Sequence, residues 1–372
     1  MRTNHLAVLF LIGCTKTGTS GDSSAVAVDE RVTPGETDEG ADGTPEEEAP
    51  EQEAEAGDPN DDLGGLDASD PESEDEAEEE EEIDPQIVRF VALGDGGEGN
   101  AAQYAVGAAM KNICDSKTDE DGQGCEFALY LGDNFYNEGV ESIDDPQFES
   151  KFEAPYADID FPFYVVLGNH DYGELSLDFF RVPHQVAYTE RSSKWNMPNE
   201  FYTKNHEHAL FIGLDTNAIM VESVLGDSGQ DSWLSGIHAT NEATWTIAFG
   251  HHPYVSNGRH GNAGSYEGFS FIPIVSGESV KEFFDEHICG MVDVYFSGHD
   301  HNRQWLNPTC GTEFIVSGAA SKNTDLEGRG TPTFWEDDTT PGFVWIELRD
   351  NVMTGEFYNQ DAVLEFTRTV TK

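Results

Sequence analysis

Leu131-Gly132-Asp133-Asn134-Phe135-Tyr136 places a carboxylate and a phenol three residues apart at the end of an apolar run. An aspartate at the carboxyl end of a buried strand can bridge two cations, whereas a tyrosine one turn further on reaches only one of them. A phenol, with a reference pKa of ~10, coordinates at neutral pH only where a strong Lewis acid displaces its proton, ferric iron above all. The pair therefore points to a two-metal site with one Fe(III). Its remaining ligands must come from elsewhere in the chain.

Four more stretches have the same form: Gly94-Asp95-Gly96-Gly97, Gly168-Asn169-His170-Asp171, Gly250-His251-His252-Pro253 and Gly298-His299-Asp300-His301. Each follows an apolar, β-rich run, at residues 86–93, 163–167, 244–249 and 292–296, and residues 126–131 lead into the first motif. The patterning predicts helices over 100–113, 145–156, 230–239 and 279–287. Further strands are expected at 209–214, 313–317, 343–348, 352–358 and 363–367. Five apolar strands thus end in a glycine followed by a polar residue of metal-ligand type. In an open α/β layer such ends converge on one crevice, where glycine lets the backbone turn and approach a ligand. Taken singly, each motif also reads as a turn, because asparagine and aspartate favour turns on their own account. Five in succession, all at strand ends, do not.

The 372 residues carry a formal charge of −54, about half of it between Lys16 and Asp84. So acidic a surface repels nucleic acid and anionic lipid and acts as a solvation device. Residues 1–14 pair a basic Arg2 with a short apolar run and Gly13-Cys14. That run is too short to span a bilayer but suits an export signal. Leu11-Ile12-Gly13-Cys14 resembles the lipobox of bacterial lipoproteins, which implies lipidation at Cys14; Thr15 after it favours the outer membrane of the cell envelope. Residues 15–84 are rich in Gly, Ser, Thr, Pro, Asp and Glu and bury too little apolar surface to offset their ordering entropy. They are expected to form a disordered acidic linker, leaving 85–372 as the folded domain. Four cysteines remain, Cys114, Cys125, Cys289 and Cys310. Three pairings are possible, and sequence order suggests Cys114 with Cys125 and Cys289 with Cys310.

The five blocks GDGG, GDNFY, GNHD, GHHP and GHDH, in this order, resemble those of the purple acid phosphatases, within the calcineurin-like metallophosphoesterases. The small mammalian-type enzymes are the nearest form. Lys194-Trp195-Asn196-Met197-Pro198, Phe201-Tyr202, Leu214-Asp215-Thr216, Gln230 and Trp233-Leu234 add to the likeness, which spans Ile87 to the end. The resemblance implies an α/β sandwich of two mixed β-sheets flanked by helices. It implies that Asp95, Tyr136 and His301 hold Fe(III), that Asn169, His251 and His299 hold a divalent Fe, Zn or Mn ion, and that Asp133 bridges the two. Hard oxygen donors would then gather on the trivalent ion, and imidazoles with an amide oxygen on the divalent one. Many relatives outside the purple subfamily have a histidine two positions after the first aspartate; here Gly97 stands there and Tyr136 offers the compensating ligand.

His170 and His260 become the candidates to hold phosphate oxygens and protonate a leaving alkoxide. Tyr172 stands where the family often has a second histidine, and His252 is left without a role. The implied activity is hydrolysis of phosphate monoesters by a metal-activated hydroxide, in a monomeric protein. The alternatives are a phosphodiesterase and a surface lipoprotein whose metal centre does not turn over. The segment between Asp215 and Gln230 reads as a loop shorter than its mammalian-type counterpart, which implies a more open site.

Overall fold

Apolar runs flanked by glycine become strands buried on both faces, as parallel pairing between covering layers requires. The computed structural model describes residues 85–173, 175–268 and 273–372. These lie in the second of two units into which the chain divides, Met1–Glu82 and Ile83–Lys372. The expected signal, lipobox cysteine and acidic linker lie outside the described residues.

The chain first lays down β1 (Ile87–Leu93), β2 (Phe127–Tyr130), β3 (Phe163–Val165) and β4 (Trp195–Asn196), all parallel neighbours. It then builds a second sheet from β5 (Tyr202–His206), β6 (Ala209–Gly213), β7 (Trp245–Phe249), β8 (Val294–Ser297), β9 (Arg303–Leu306), β10 (Glu313–Ser317) and β11 (Thr333–Asp337). It returns to the first sheet with β12 (Gly342–Arg349), β13 (Val352–Asn359) and β14 (Leu364–Thr371), an antiparallel meander that joins the free edge of β1. The orders are β14-β13-β12-β1-β2-β3-β4 and β11-β9-β10-β8-β7-β6-β5. In the second sheet β6, β7, β8 and β10 run parallel, while β5, β9 and β11 pair antiparallel. Both sheets are therefore mixed, as the family likeness implied.

The two sheets meet through aromatic rings. Phe90 of β1 stacks on Phe127 of β2 with centroids 5.3 Å apart, and both meet Phe211 of β6 edge-on at 5.3 and 5.0 Å. Phe296 of β8 closes the group against Phe90 at 5.9 Å. Such pairs add ~0.5–1.5 kcal/mol each to the burial of their area. They set the spacing between strand ends that the site requires.

Six α-helices lie outside the sheets among the described residues: α1 (Ala101–Lys117), α2 (Val182–Tyr188), α3 (Thr216–Leu225), α4 (Gln230–His238), α5 (Pro273–Ser276) and α6 (Glu278–His287). Asn100 caps α1 by accepting the Gln103 amide at 3.0 Å, satisfying one of the orphan donors of its first turn. Asp215 caps α3 in the same manner through the Ala218 amide at 2.9 Å. Disulfides join Cys114 to Cys125, tying α1 to the entry of β2, and Cys289 to Cys310, tying the end of α6 to the turn between β9 and β10. These are the pairings that sequence order suggested.

Two expectations give way. The helix expected over 145–156 narrows to one wide turn, Glu149–Glu153, closed by Ala154 donating to the Glu149 carbonyl. Pro155 has no N–H to extend the ladder, and Lys151 turns its ammonium inward to the Tyr136 carbonyl and Gln147 Oε1. The segment after Asp215 is a helix, α3, rather than a short open loop, with Ile219 and Val221 buried beneath it.

Candidate metal centre

Five loops leave neighbouring strand ends and meet at the seam between the sheets. β1 delivers Asp95, β2 delivers Asp133 and Tyr136, and β3 delivers Asn169 and His170; β7 delivers His251, and β8 delivers His299 and His301. Asp95, Asp133 and His299 adopt left-handed backbone conformations, with φ of 61°, 53° and 68°. Residues with a Cβ hold such angles at a cost of ~1–3 kcal/mol, and Ser176, Glu207, Cys310, Asp350 and Ala362 do so elsewhere in the chain, but here three of them stand together at strand ends that meet. The preceding glycines are explained by interlock. A Cβ on Gly168 would stand 2.3 Å from Asp133 Oδ1, and one on Gly298 would stand 2.5 Å from Asp95 Oδ2. Each glycine vacates the space that another loop's carboxylate occupies.

The side chains form two clusters that share Asp133. In one, the Tyr136 hydroxyl donates to Asp95 Oδ1 at 2.8 Å and lies 3.1 Å from His301 Nε2, which is 3.4 Å from the same carboxylate. Asp95, Asp133 and His301 offer donor atoms all within 4.8 Å of one another. In the other, His251 Nε2 lies 3.0 Å from Asn169 Oδ1, 3.1 Å from His299 Nδ1 and 3.4 Å from Asp133 Oδ1. The His251 Nδ1–H donates to the Leu131 carbonyl at 2.9 Å, so in the neutral ring Nε2 is the nitrogen left to take a cation. That nitrogen faces an amide oxygen and a carboxylate, so a cation between them, a proton or a metal ion, satisfies all three donors. The residues present thus fit two metal ions.

Electrostatics agree. Burial holds the His299 imidazole well below its ordinary value, helped by the neighbouring His260 and His252, which leaves it a neutral donor. Burial alone would raise Asp133, but the facing His251 and His170 keep its carboxyl ionised below the ordinary range. Burial and the charges of Asp133 and Asp95 push the Tyr136 phenol well above 10, so only a strong cation would displace its proton.

The structure also brings both proton-donor candidates to the cluster. His170 donates its backbone amide to Asp133 Oδ1 at 2.9 Å, and its Nε2 lies 4.0 Å from Asp133 Oδ2 while Nδ1 meets the Asn137 carbonyl at 2.9 Å. The His260 ring lies over that of His299, centroids 4.0 Å apart. Glu267 grips its Nδ1, and Asp300 Oδ1 accepts its amide at 2.7 Å. Burial would lower the His260 imidazole, but the Glu267 hydrogen bond and the Asp300 charge outweigh it and raise its pKa.

Sequence reasoning passed over several supporting residues. Asp171 is buried and accepts from the amides of Gly168 and Asn134 at 2.8 and 3.1 Å, locking the β2 and β3 loops together. Its burial and the nearby Asp133 push its carboxyl up to about 7. Asp300 holds the 256–261 loop through Ser256, His260 and Gly261. Both stand inside motifs already noticed, and their regular placement beside ligand types was the available signal. His252 is buried and bonded to Thr216 Oγ1 at 2.8 Å, in a supporting position. Glu267 had no local signature.

Residues 88–303 match the sequence profile of the calcineurin-like phosphoesterases. The chain belongs to that family. Tartrate-resistant acid phosphatase type 5 of Homo sapiens is 29% identical over 298 residues, covering 72% of this chain and 86% of that one. Among solved structures, GAP50, the anchor in the inner membrane complex of Plasmodium, aligns with a TM-score of 0.60 at 22% identity, covering 77% of this chain and 89% of that one. Purple acid phosphatase PPD1 from seeds of yellow lupin, Lupinus luteus, aligns at 0.57 with 16% identity, covering 77% and 54%. At those identities the last two speak for the phosphoesterase fold alone.

Proposed function

We propose that this phosphoesterase is an acid phosphatase that hydrolyses phosphate monoesters at a binuclear centre of Fe(III) and a divalent Fe, Zn or Mn ion. The observation that carries the reading is the convergence of the Tyr136 hydroxyl with Asp95 and His301, beside a second cluster of Asn169, His251 and His299 that shares Asp133. Asp95, Tyr136 and His301 would hold the ferric ion, Asn169, His251 and His299 the divalent one, and Asp133 both. The likeness to human tartrate-resistant acid phosphatase type 5 supports the same assignment.

When bound, the two cations supply Lewis acidity toward water and the phosphoryl oxygens. The protein's own groups do the rest. The Asn137 carbonyl fixes the His170 ring so that Nε2 faces the centre, and Glu267 does the same for His260, so each can place a proton on a departing alkoxide. The His170 amide donates to Asp133 Oδ1 and the His299 amide to Asp95 Oδ2, each at 2.9 Å, so the orientation of both carboxylates is set before substrate arrives.

Incubation of the purified, metal-loaded protein with an aryl phosphate, alongside the corresponding diester, tests the activity. Faster monoester turnover is expected at acidic pH, and a diester rate exceeding it would overturn the monoesterase reading. We further infer export and lipid anchoring at Cys14 in the envelope, as a monomer. The two disulfides support an oxidising compartment, and labelling of wild type but not Cys14→Ser by a radioactive fatty acid is the check.

A further inference from the structure

The protein has 19 lysine and arginine side chains against 73 carboxylates, so its cations are scarce. One of them stands at the metal centre. Lys322 Nζ lies 3.2 Å from the centroid of the Tyr136 ring. Its placement is fixed by three layers of contact. The ammonium donates to Glu98 Oε1 at 2.6 Å, in the loop that carries Asp95. The preceding Ser321 donates its hydroxyl to the Asp95 carbonyl, and the Ser321 carbonyl accepts from Asn100 Nδ2 at 2.9 Å. Ala320 donates its amide to the Gly94 carbonyl at 3.1 Å. The segment after β10 is thus stitched to the β1 loop, and the stitching holds an ammonium on the face of the site's phenol.

A partly exposed lysine and glutamate need no aromatic ring between them, and such a pair alone contributes ~0–1 kcal/mol. An ammonium over an aromatic face is attracted by the negative charge of the π cloud, at ~0.5–2 kcal/mol. Ionisation of the phenol strengthens that attraction, because the anionic charge of a phenolate spreads into the ring. The ammonium then draws electron density away from the oxygen and stabilises the donor orbitals. A cation bound to that oxygen receives less density than it would from an unaccompanied phenolate.

We propose that Lys322 is a positioning residue that sets the donor strength of Tyr136. The proposal rests on the reading of Tyr136 as the ligand to ferric iron. Charge transfer from phenolate to iron gives the visible colour of such a centre, and a fixed ammonium beside the donor opposes the loss of its electron. Removing the ammonium lowers the transition energy. It also strengthens donation to the ferric state and so lowers the iron reduction potential.

The experiment compares full-length wild type with Lys322→Met and Lys322→Arg, each with iron content measured, by visible absorption and by redox titration of the iron. Lys322→Met is expected to shift the band to longer wavelength and the midpoint to a lower potential. Lys322→Arg retains a cation and is expected to hold both nearer to wild type. If Lys322→Met folds poorly, Lys322→Gln keeps a polar side chain that Glu98 can hold while removing the charge, and a shift of both readouts in the same direction is expected. Unchanged band and midpoint at equal iron content would overturn the proposal while leaving the iron reading intact. A colourless, iron-loaded wild type would instead remove the reading on which it rests. A raised KM for aryl phosphate with an unmoved band would assign the lysine to the substrate and overturn its role at Tyr136.

Discussion

The two sheets bring different chemistry to the same seam. The first supplies oxygen, from Asp95, Asp133, Tyr136 and Asn169; the second supplies nitrogen, from His251, His299 and His301. Neither offers a complete coordination set, and each cluster draws on both: Tyr136 and Asp95 need His301, and Asn169 needs His251 and His299. The metal centre is therefore a property of the packing between sheets. A second junction lies nearby without metal-ligand geometry, where Tyr172, beyond β3, donates its hydroxyl to Asp215, beyond β6. Metal binding and a buried proton are two ways of closing the same gap between strand ends.

The largest expected effect comes from the residue shared by both clusters. Asp133→Asn keeps the shape and removes the charge that faces His251 and His170. Its loss of metal affinity should exceed the ~10–100-fold typical of residues that merely support a ligand. Elemental analysis after gel filtration reads this directly, and full occupancy would contradict a bridging role. Next come the two histidines that differ in their support, His170 on a backbone carbonyl and His260 on a carboxylate. Replacing the one that protonates the leaving group by alanine should lower kcat by ~10²–10⁴-fold with metal content unchanged. The loss should shrink on an ester whose leaving group needs no proton. Loss of metal in either variant would place that histidine in binding instead.

The packing beneath the site is tested by Phe90→Ala, which removes the ring that touches Phe127, Phe211 and Phe296. A buried Phe→Ala change costs ~3–5 kcal/mol. Denaturant unfolding should show that loss, and the surviving folded protein should bind metal less tightly because the sheets no longer hold their separation. Native-like metal affinity in a destabilised variant would uncouple the seam from the centre.

The strands that position the site were legible because burial on both faces writes an unbroken apolar run, as in Phe163-Tyr164-Val165. The ligand-type residues were legible because each stands one or a few places past a glycine that its neighbours' packing demands. What escaped notice obeys less local rules. Helix α3 contains the β-branched Ile219, Val221 and Val224, poor helix formers, and is secured by the Asp215 cap and by packing against α5 and α6. Strand β5, Tyr-Thr-Lys-Asn-His, has too few apolar residues to announce itself, and it forms an edge. Lys322 reaches Tyr136 across 186 positions and Glu98 across 224, so no window of sequence contains the contact.

The smallest effect separates the two junctions by the sign of their response to pH. Burial pushes the Asp215 carboxyl up to about 7, despite hydrogen bonds from Tyr172 and the Ala218 amide. An unfolded aspartate releases its proton at ~3.9. Between those values the native state holds a proton that the unfolded chain has lost, so this group's contribution to stability falls as pH rises. The slope is at most ~1.4 kcal/mol per pH unit, and it flattens above about 7, where both states are ionised. Asp133 has the opposite sense: its native carboxyl is held low, so its contribution is present above the unfolded value and is lost on acidification. Denaturant unfolding of metal-free wild type and Asp215→Asn between pH 5 and pH 8 isolates the first term. The difference in stability between them should change steadily up to neutrality and then level off, whereas a constant difference would mean that Asp215 is ionised throughout and that the second junction is closed by hydrogen bonds to a carboxylate.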